Sequence, residues 1–303
     1  MQGNWALSKK RPRLEQRARI VQTIRSFFFA QDYLEIETPH RLPGNAPEAH
    51  IDAVQSDGWF LHTSPELCMK RLLAAGYPRL FQLCRCWRAE ERGTRHLPEF
   101  TMLEWYAAHC DYHALMDHCE TLLAALLPEG KLHYRGQCIN LSSPWERLTV
   151  AEAFDRFGSR SLEQALADNR FDEIIALEIE PQLGIQRPTF LIEYPGALAA
   201  LARRHPQRPH VAERFELYIA GLELANAFSE LTDPLEQRRR FAAEETTRQK
   251  LGKPPYPSPE KFLQELGAMP EAAGIALGLD RLVMLLTDAE TIDEVVAFTP
   301  ELL

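Results

Sequence analysis

No run of eighteen apolar residues occurs in this 303-residue chain, which excludes a membrane-spanning helix. The opening stretch, MQGNWALSKKRPRLEQRARI, has neither the apolar core nor the small-residue cleavage site of a signal peptide. The six cysteines, Cys68, Cys84, Cys86, Cys110, Cys119 and Cys138, include no CxxC pair, so a zinc ribbon or thioredoxin-like motif has little support. That usage points inside the cell, to a cytoplasmic protein. Glycine (15) and proline (21) are too sparse for a collagenous or low-complexity chain, and no internal repeat is visible. Positive charge is also short: 34 Lys and Arg against 43 Asp and Glu leave a net charge of −9. Proteins that clamp a long nucleic acid usually show a basic face, because neutralised phosphates supply most of the affinity. The acidic balance lowers the expectation of tRNA binding.

What is present is an ordinary globular mixture, 45% hydrophobic and 25% charged, able to bury a large core. Residues 1–12, with Lys9, Lys10 and Arg11, read as an N-terminal basic tail, and residues 13–303 as one domain. Ile20, Ile24 and Phe27 recur at helical spacing over residues 13–31. Residues 34–38 alternate like a strand that stops at Pro39. Ser64 and Pro65 open a helix as N-cap and first-turn proline, and Gly76 closes it. Residues 79–88 and 100–108 read as the two arms of a long hairpin, with Cys84 and Cys86 as small core residues on one face. Asp111 caps a further helix, and Thr149 with Glu152 forms a capping-box signature. Residues 158–188 look like a helical insertion. Residues 189–194 and 211–228 return to strand with a turn near Gly221, Asp233 starts a charged helix, and residues 274–279 form a last strand leading into an apolar helix. Hairpins separated by helices argue an α+β fold, not a doubly wound parallel sheet.

Strand alternation places Phe100, Met102, Glu104 and Tyr106 on one face of the hairpin and Thr101, Leu103 and Trp105 on the other. A carboxylate among apolar neighbours is costly to bury unpaired, so something must meet Glu104. If the first arm continues, Arg88 and Glu90 point together toward Phe100. The face then offers a planar guanidinium fork, which suits phosphate, and an aromatic ring, which suits a base. An internal ion-pair network covering the sheet is the other reading of the same polarity. Glu223, Asn226 and Glu230 form a second acidic set, of a kind that suits Mg²⁺. Glu223 and Asn226 face opposite sides of a regular strand, so a joint role requires a bulge or turn. Asp280 is a reasonable N-cap for the last helix.

The stretch FQLCRCWRAEERGTRHLPEFTMLEWY resembles motif 2 of the class II aminoacyl-tRNA synthetases in its lysyl form. GIALGLDRLVMLL resembles motif 3, and the first helix with LEIETP resembles motif 1. TSPEL and ELANAFSELTDP are also similar to lysyl-type segments. The chain has no room for the anticodon-reading domain of a lysyl-tRNA synthetase, so it looks most like the freestanding lysine ligases that modify elongation factor P. This resemblance implies a class II catalytic fold, a mixed and mostly antiparallel sheet flanked by helices. It implies a homodimer through motif 1, ATP and Mg²⁺, (R)-β-lysine or lysine as substrate, and elongation factor P as the protein partner, with no tRNA expected.

By the same resemblance Arg88 would hold the α-phosphate, Glu90 the adenine amino group, His96 the outer phosphates and Arg281 the γ-phosphate, while Phe100 would stack on adenine. Ala89, Leu97, Leu224 and Gly278 would complete the ATP side, and Glu223 would bind the metal with Asn226 beside it. Ser64, Pro65 and Glu66 would meet the substrate near its amino group, and Glu104, Tyr106 and Glu230 would surround the ε-ammonium. Two positions depart from the tRNA enzymes: Ala276 stands where they carry a glycine, and Leu97 where asparagine is usual. The first matches the elongation factor ligases; the second removes a side-chain contact to ATP. Arg203, Arg204 and Arg208, with His205 and His210, form the densest basic cluster for docking an acidic protein. Rival readings are an enzyme that acylates an RNA, and a silent paralogue; the latter predicts losses among Arg88, Glu90, Glu223 and Arg281, all of which are present.

Overall fold

The computed structural model describes residues 5–303. Helix α1 (Trp5–Ala30) leads into β1 (Leu34–Glu35). A small antiparallel sheet, β2 (Arg41–Leu42), β3 (Gln55–Ser56) and β4 (Trp59–Leu61), precedes α2 (Glu66–Ala74) and the long hairpin of β5 (Arg79–Trp87) and β6 (Glu99–Ala108). There follow α3 (Tyr112–Leu126), the hairpin β7 (Lys131–Tyr134) and β8 (Gln137–Asn140), and β9 (Glu146–Thr149). The insertion holds α4 (Val150–Phe157), α5 (Leu162–Ala167) and α6 (Phe171–Ile174) and ends at β10 (Thr189–Ile192). Then come β11 (Arg204–His205), β12 (Arg208–Ala212), β13 (Arg214–Ile219), β14 (Leu222–Ser229), α7 (Pro234–Lys250), α8 (Glu260–Glu265), β15 (Ala272–Gly278) and α9 (Leu279–Leu286).

Eight strands make the main sheet, in the order β1-β5-β6-β15-β14-β13-β10-β9. The outer pairs β1–β5 and β10–β9 are parallel, and every pairing between them is antiparallel. This is the mixed, mostly antiparallel α+β architecture that the sequence implies. Side-chain alternation gives the sheet its two faces. Leu103 and Trp105 of β6 and Phe81 of β5 face a layer built by α1, α3 and α9, where Phe28 stacks on Phe81 at 4.6 Å. Each fully buried ring of this kind contributes about 1.5–3 kcal/mol by leaving water. The opposite face carries Phe100, Met102, Glu104 and Tyr106, and α2 and α7 pack around its far end.

Three local expectations change. The first helix begins at Trp5, so residues 5–12 are its first turns and not a solvated tail; residues 1–4 lie outside the described residues. Its basic residues grip the C-terminal segment: Lys10 Nζ donates to the Val296 carbonyl at 3.1 Å and Arg13 pairs with Glu294 at 3.0 Å. Pro65, not Ser64, occupies the cap position of α2, although Ser64 Oγ accepts the Glu66 N–H at 3.0 Å. Asp280 is not the cap of α9, a position held by Gly278. It is buried, pairs with Arg17 at 2.5 Å and accepts the Thr101 N–H at 2.7 Å, so it ties α9 to α1 and β6. The capping roles of Asp111, Thr149 and Asp233 are as expected.

Candidate active site

A cavity of about 690 Å³ opens on the polar face of the sheet, between β6, β15 and β14 below and the 47–51 loop above. Its floor follows from strand register. Glu104 of β6, Ala276 of β15 and Asn226 of β14 stand side by side on three paired strands. The methyl group of Ala276 therefore sits between the carboxylate and the amide. Two residues further along on the same face, Gly274 lies opposite Tyr106, and a Cβ there would overlap both the Tyr106 ring and the Glu230 carboxylate. Only glycine lets those two side chains cross the strand.

Spacing demanded a bulge for Glu223 and Asn226 to act together, and β14 has one. Leu217 pairs with Ala225 but Tyr218 pairs with Glu223, which leaves Leu224 as the extra residue. The slip turns Glu223 and Asn226 to the same side, and both line the cavity. Asn226 Oδ1 accepts from Arg214 Nε at 3.1 Å, and Arg214 also binds Glu216 at 2.6 Å.

At the lysine-side end, Glu104 is fully buried and accepts from Ser64 Oγ at 2.6 Å and Tyr106 OH at 2.8 Å. No cation touches it among the described residues. Burial, with the nearby charge of Glu66, pushes its carboxyl up to about 8, against the pull of its two hydrogen bonds. Lys70, which sequence reading passed over, is 1% exposed. Its ammonium contacts Glu66 and lies 2.5 Å from Glu230, over the Phe228 ring at 5.1 Å. Burial pulls the Lys70 ammonium down, but Glu230 and Glu66 outweigh it and hold it above its ordinary value. The signal was its i, i+4 spacing from Glu66 on α2.

At the other end, β5 stops at Trp87, so Arg88 and Glu90 do not continue a strand together. Glu90 takes a left-handed conformation (φ 65°) and is exposed at the rim. The Arg88 guanidinium lies 5.2 Å over the Phe100 ring and only 4.0 Å from Glu91, and its Nε is buried without a partner. Arg281 donates to the Glu223 carbonyl at 2.9 Å and to its carboxylate at 3.2 Å, and touches His96. Burial and the charges of Arg281, Arg88 and Arg95 pull the His96 imidazole down to about 4, so it is neutral. The insertion adds Glu180, which accepts from Tyr218 OH at 3.3 Å and is pushed to about 7 by burial and by Glu223 and Glu216.

Of the residues singled out from sequence, Ser64, Glu66, Arg88, Glu90, His96, Leu97, Phe100, Tyr106, Glu223, Leu224, Asn226, Ala276, Gly278 and Arg281 all line this cavity. Glu104 and Glu230 lie beneath its floor, reached through Ser64, Tyr106 and Lys70. Pro65 and Ala89 do not line it; the Ala89 N–H is spent on the Asp52 carbonyl at 2.7 Å. Cys84 and Cys86 are buried, form no disulfide, and share a thiol–thiol contact at 3.9 Å behind Phe100 and Met102. Two members of the basic cluster are already paired within the fold: Arg203 binds Glu213 at 2.7 Å and Glu271 at 3.1 Å, and Arg208 binds Glu193 at 2.6 Å. Unspent guanidinium donors at one end and buried acids at the other suit a phosphate-bearing nucleotide beside a cationic amino acid.

The family described as tRNA synthetases class II (D, K and N) matches residues 5–301. The chain is 39% identical over 317 residues to the elongation factor P–(R)-β-lysine ligase of Erwinia tasmaniensis, a match covering 98% of this chain and 97% of that protein. The protein of the same name from Salmonella typhi is 38% identical over 315 residues, covering 97% of each. The lysine–tRNA ligase of Moorella thermoacetica is 38% identical over 312 residues, but there the chain spans 64% of the longer protein. The chain thus belongs to the class II tRNA synthetases (D, K and N), in the branch of the elongation factor P–(R)-β-lysine ligases.

Proposed function

We propose that this chain activates (R)-β-lysine with ATP and passes the acyl group to the ε-amine of a lysine on elongation factor P. The observation that carries the proposal is the buried Glu104 beneath the cavity floor, whose missing cation a lysine-like ammonium would supply, under a cavity lined by an Arg88 whose buried Nε has no protein partner. The Ala276 methyl beside that acid supports the β-isomer over α-lysine. Identity of 38–39% over 97% of the length of relatives named elongation factor P–(R)-β-lysine ligase supports a protein acceptor.

In the first step a carboxylate oxygen of the amino acid attacks the α-phosphorus in line, and pyrophosphate leaves. Arg88 and Arg281 would hold phosphate oxygens as charge develops on them, Phe100 would hold the adenine ring, and Glu104 and Tyr106 would fix the ε-ammonium, with Glu230, already paired with Lys70, beside them. No side chain forms a covalent intermediate; positioning and charge stabilisation carry the step. The oxygen donors of Glu223, with Glu180 nearby, suit a hard cation, and Glu223 is the residue to hold Mg²⁺. Such an ion would neutralise phosphate charge. In the second step the acceptor amine attacks the acyl carbon and AMP leaves.

The same reading carries a homodimer through α1 and β1. Exposed Phe29 (54%) and Leu34 (49%) beside a two-residue edge strand support it. It carries no role for tRNA, supported by the net charge of −9, and a site of action in the cytoplasm, supported by six free cysteines. Pyrophosphate exchange tests the first step: (R)-β-lysine should drive it faster than α-lysine at equal concentration. Exchange driven by neither would contradict the proposal.

A further inference from the structure

We propose that Glu48 is the general base that frees the acceptor amine for attack on the acyl adenylate, a role that rests on the transfer reaction proposed above. Glu48 sits on the 47–51 loop and lines the same cavity as Arg88, on the wall facing the sheet. The loop is clamped from outside. Arg248 of α7, 0% exposed, donates to the carbonyls of Glu48 at 2.9 Å and Ile51 at 2.8 Å. Glu244 of the same helix accepts the Ala49 N–H at 2.9 Å, and Tyr256 OH accepts the Ala53 N–H at 2.7 Å. On the inner side the Ala89 N–H holds the Asp52 carbonyl at 2.7 Å, which fixes the loop to the residue after Arg88.

So much anchoring of backbone leaves one carboxyl unspent. Of the acids lining the cavity, Glu66, Glu91, Glu223, Glu244 and Asp280 each have a partner. Among the described residues the Glu48 side chain has no hydrogen bond or ion pair, and the only comparable acid is Glu90, exposed at the rim. The charged groups facing Glu48 are Arg88 from the end of β5, Glu66 from α2, Glu244 from α7 and Arg214 from β13. Burial pushes its carboxyl up to about 7, against Arg88 and Arg214 and with Glu66 and Glu244. A base poised near the working pH, beside the arginine assigned to the α-phosphate, is where the reaction needs one.

The step balances with no added reagent. The acceptor arrives as R–NH3⁺ and gives one proton to the Glu48 carboxylate. The freed lone pair forms the C–N bond at the acyl carbon, and the bond from that carbon to the phosphate oxygen breaks with its electron pair going to AMP. The nitrogen then loses its second proton to the departing phosphate, leaving a neutral amide.

The test separates the two half-reactions. Enzyme loaded with adenylate is mixed with elongation factor P in single turnover from pH 6 to 9, for wild type, Glu48→Gln and Glu48→Asp. In Glu48→Gln, transfer at pH 7 should fall by about 10²–10⁴-fold while pyrophosphate exchange stays within roughly twofold. Wild-type transfer should level off above about pH 7. The glutamine variant should instead climb about tenfold per pH unit throughout, tracking the free-amine fraction of a lysine with a pKa of about 10.4. Glu48→Asp should recover part of the rate. Transfer by Glu48→Gln at wild-type rate, or exchange and transfer falling together, overturns the role of Glu48 alone. Wild type that makes adenylate yet acylates no protein overturns the transfer reading and this role with it.

Discussion

Arg88 and Arg281 look alike in sequence and differ in the fold. Arg88 keeps a buried Nε without a partner, whereas Arg281 is already engaged by Glu223. Both Arg88→Ala and Arg281→Ala should lower pyrophosphate exchange by at least about 10²-fold, with the circular dichroism spectrum unchanged. A variant that unfolds, or keeps near-normal exchange, removes its arginine from the phosphate site. Ala276→Gly should shift the kcat/KM ratio toward α-lysine, by an amount bounded by the roughly 10–200-fold that one methyl group can contribute. An unchanged ratio would take Ala276 out of the selectivity argument. Glu104 adds a pH signature: below about 8 it holds its proton and offers an ammonium no charge. The KM for the amino acid should rise about tenfold per unit as pH falls from 8 to 6, and be flat from 8 toward 10, where the substrate ammonium keeps its charge. A KM independent of pH across 6–8 would contradict the buried-acid account. Alternation along β6 made the face of Glu104 legible; its partner Ser64 and the neighbouring pair of Lys70 with Glu230 were not, because they come from elements far apart in sequence. Glu48 carries no period or motif at all, and only the folded loop reveals its unspent carboxyl.

Elements were read best where a local rule sufficed. The capping residues of α3, α4 and α7 name their own helices, and the spacing of Glu223 and Asn226 calls for a bulge or turn in β14 if the two act together, which the register shift supplies. Failures came where a distant contact decides. The start of α1 is set by Lys10 and Arg13 reaching the last thirty residues, and Arg17 explains why Asp280 is not a cap. In the basic stretch around Arg203, the pairing of Arg203 and Arg208 with acids was equally hidden, because those acids lie on other segments. The clamp of α7 on the 47–51 loop belongs at this scale. Replacing Arg248, fully buried and bound to three carbonyls and Asp52, by methionine should cost about 3 kcal/mol or more, read as a lowered denaturant midpoint. An unchanged midpoint would show that the loop is held without it.

The whole molecule is a mixed sheet with one greasy face under helices and one polar face under a clamped loop, and the order of motifs along the chain disclosed that plan. Quaternary structure was less legible, since an edge strand two residues long carries almost no pattern. Phe29→Asp with Leu34→Asp should convert a sedimenting dimer to monomer and lower exchange; a fully active wild-type monomer at assay concentration would contradict the dimer. The most direct test of the function is a competition for the acyl group. Enzyme, Mg-ATP and (R)-β-lysine are mixed with elongation factor P and tRNA together, and both acceptors are weighed by mass spectrometry. The account predicts that elongation factor P gains one β-lysyl group on a single lysine while the tRNA mass is unchanged; acylated tRNA with unmodified elongation factor P would contradict it.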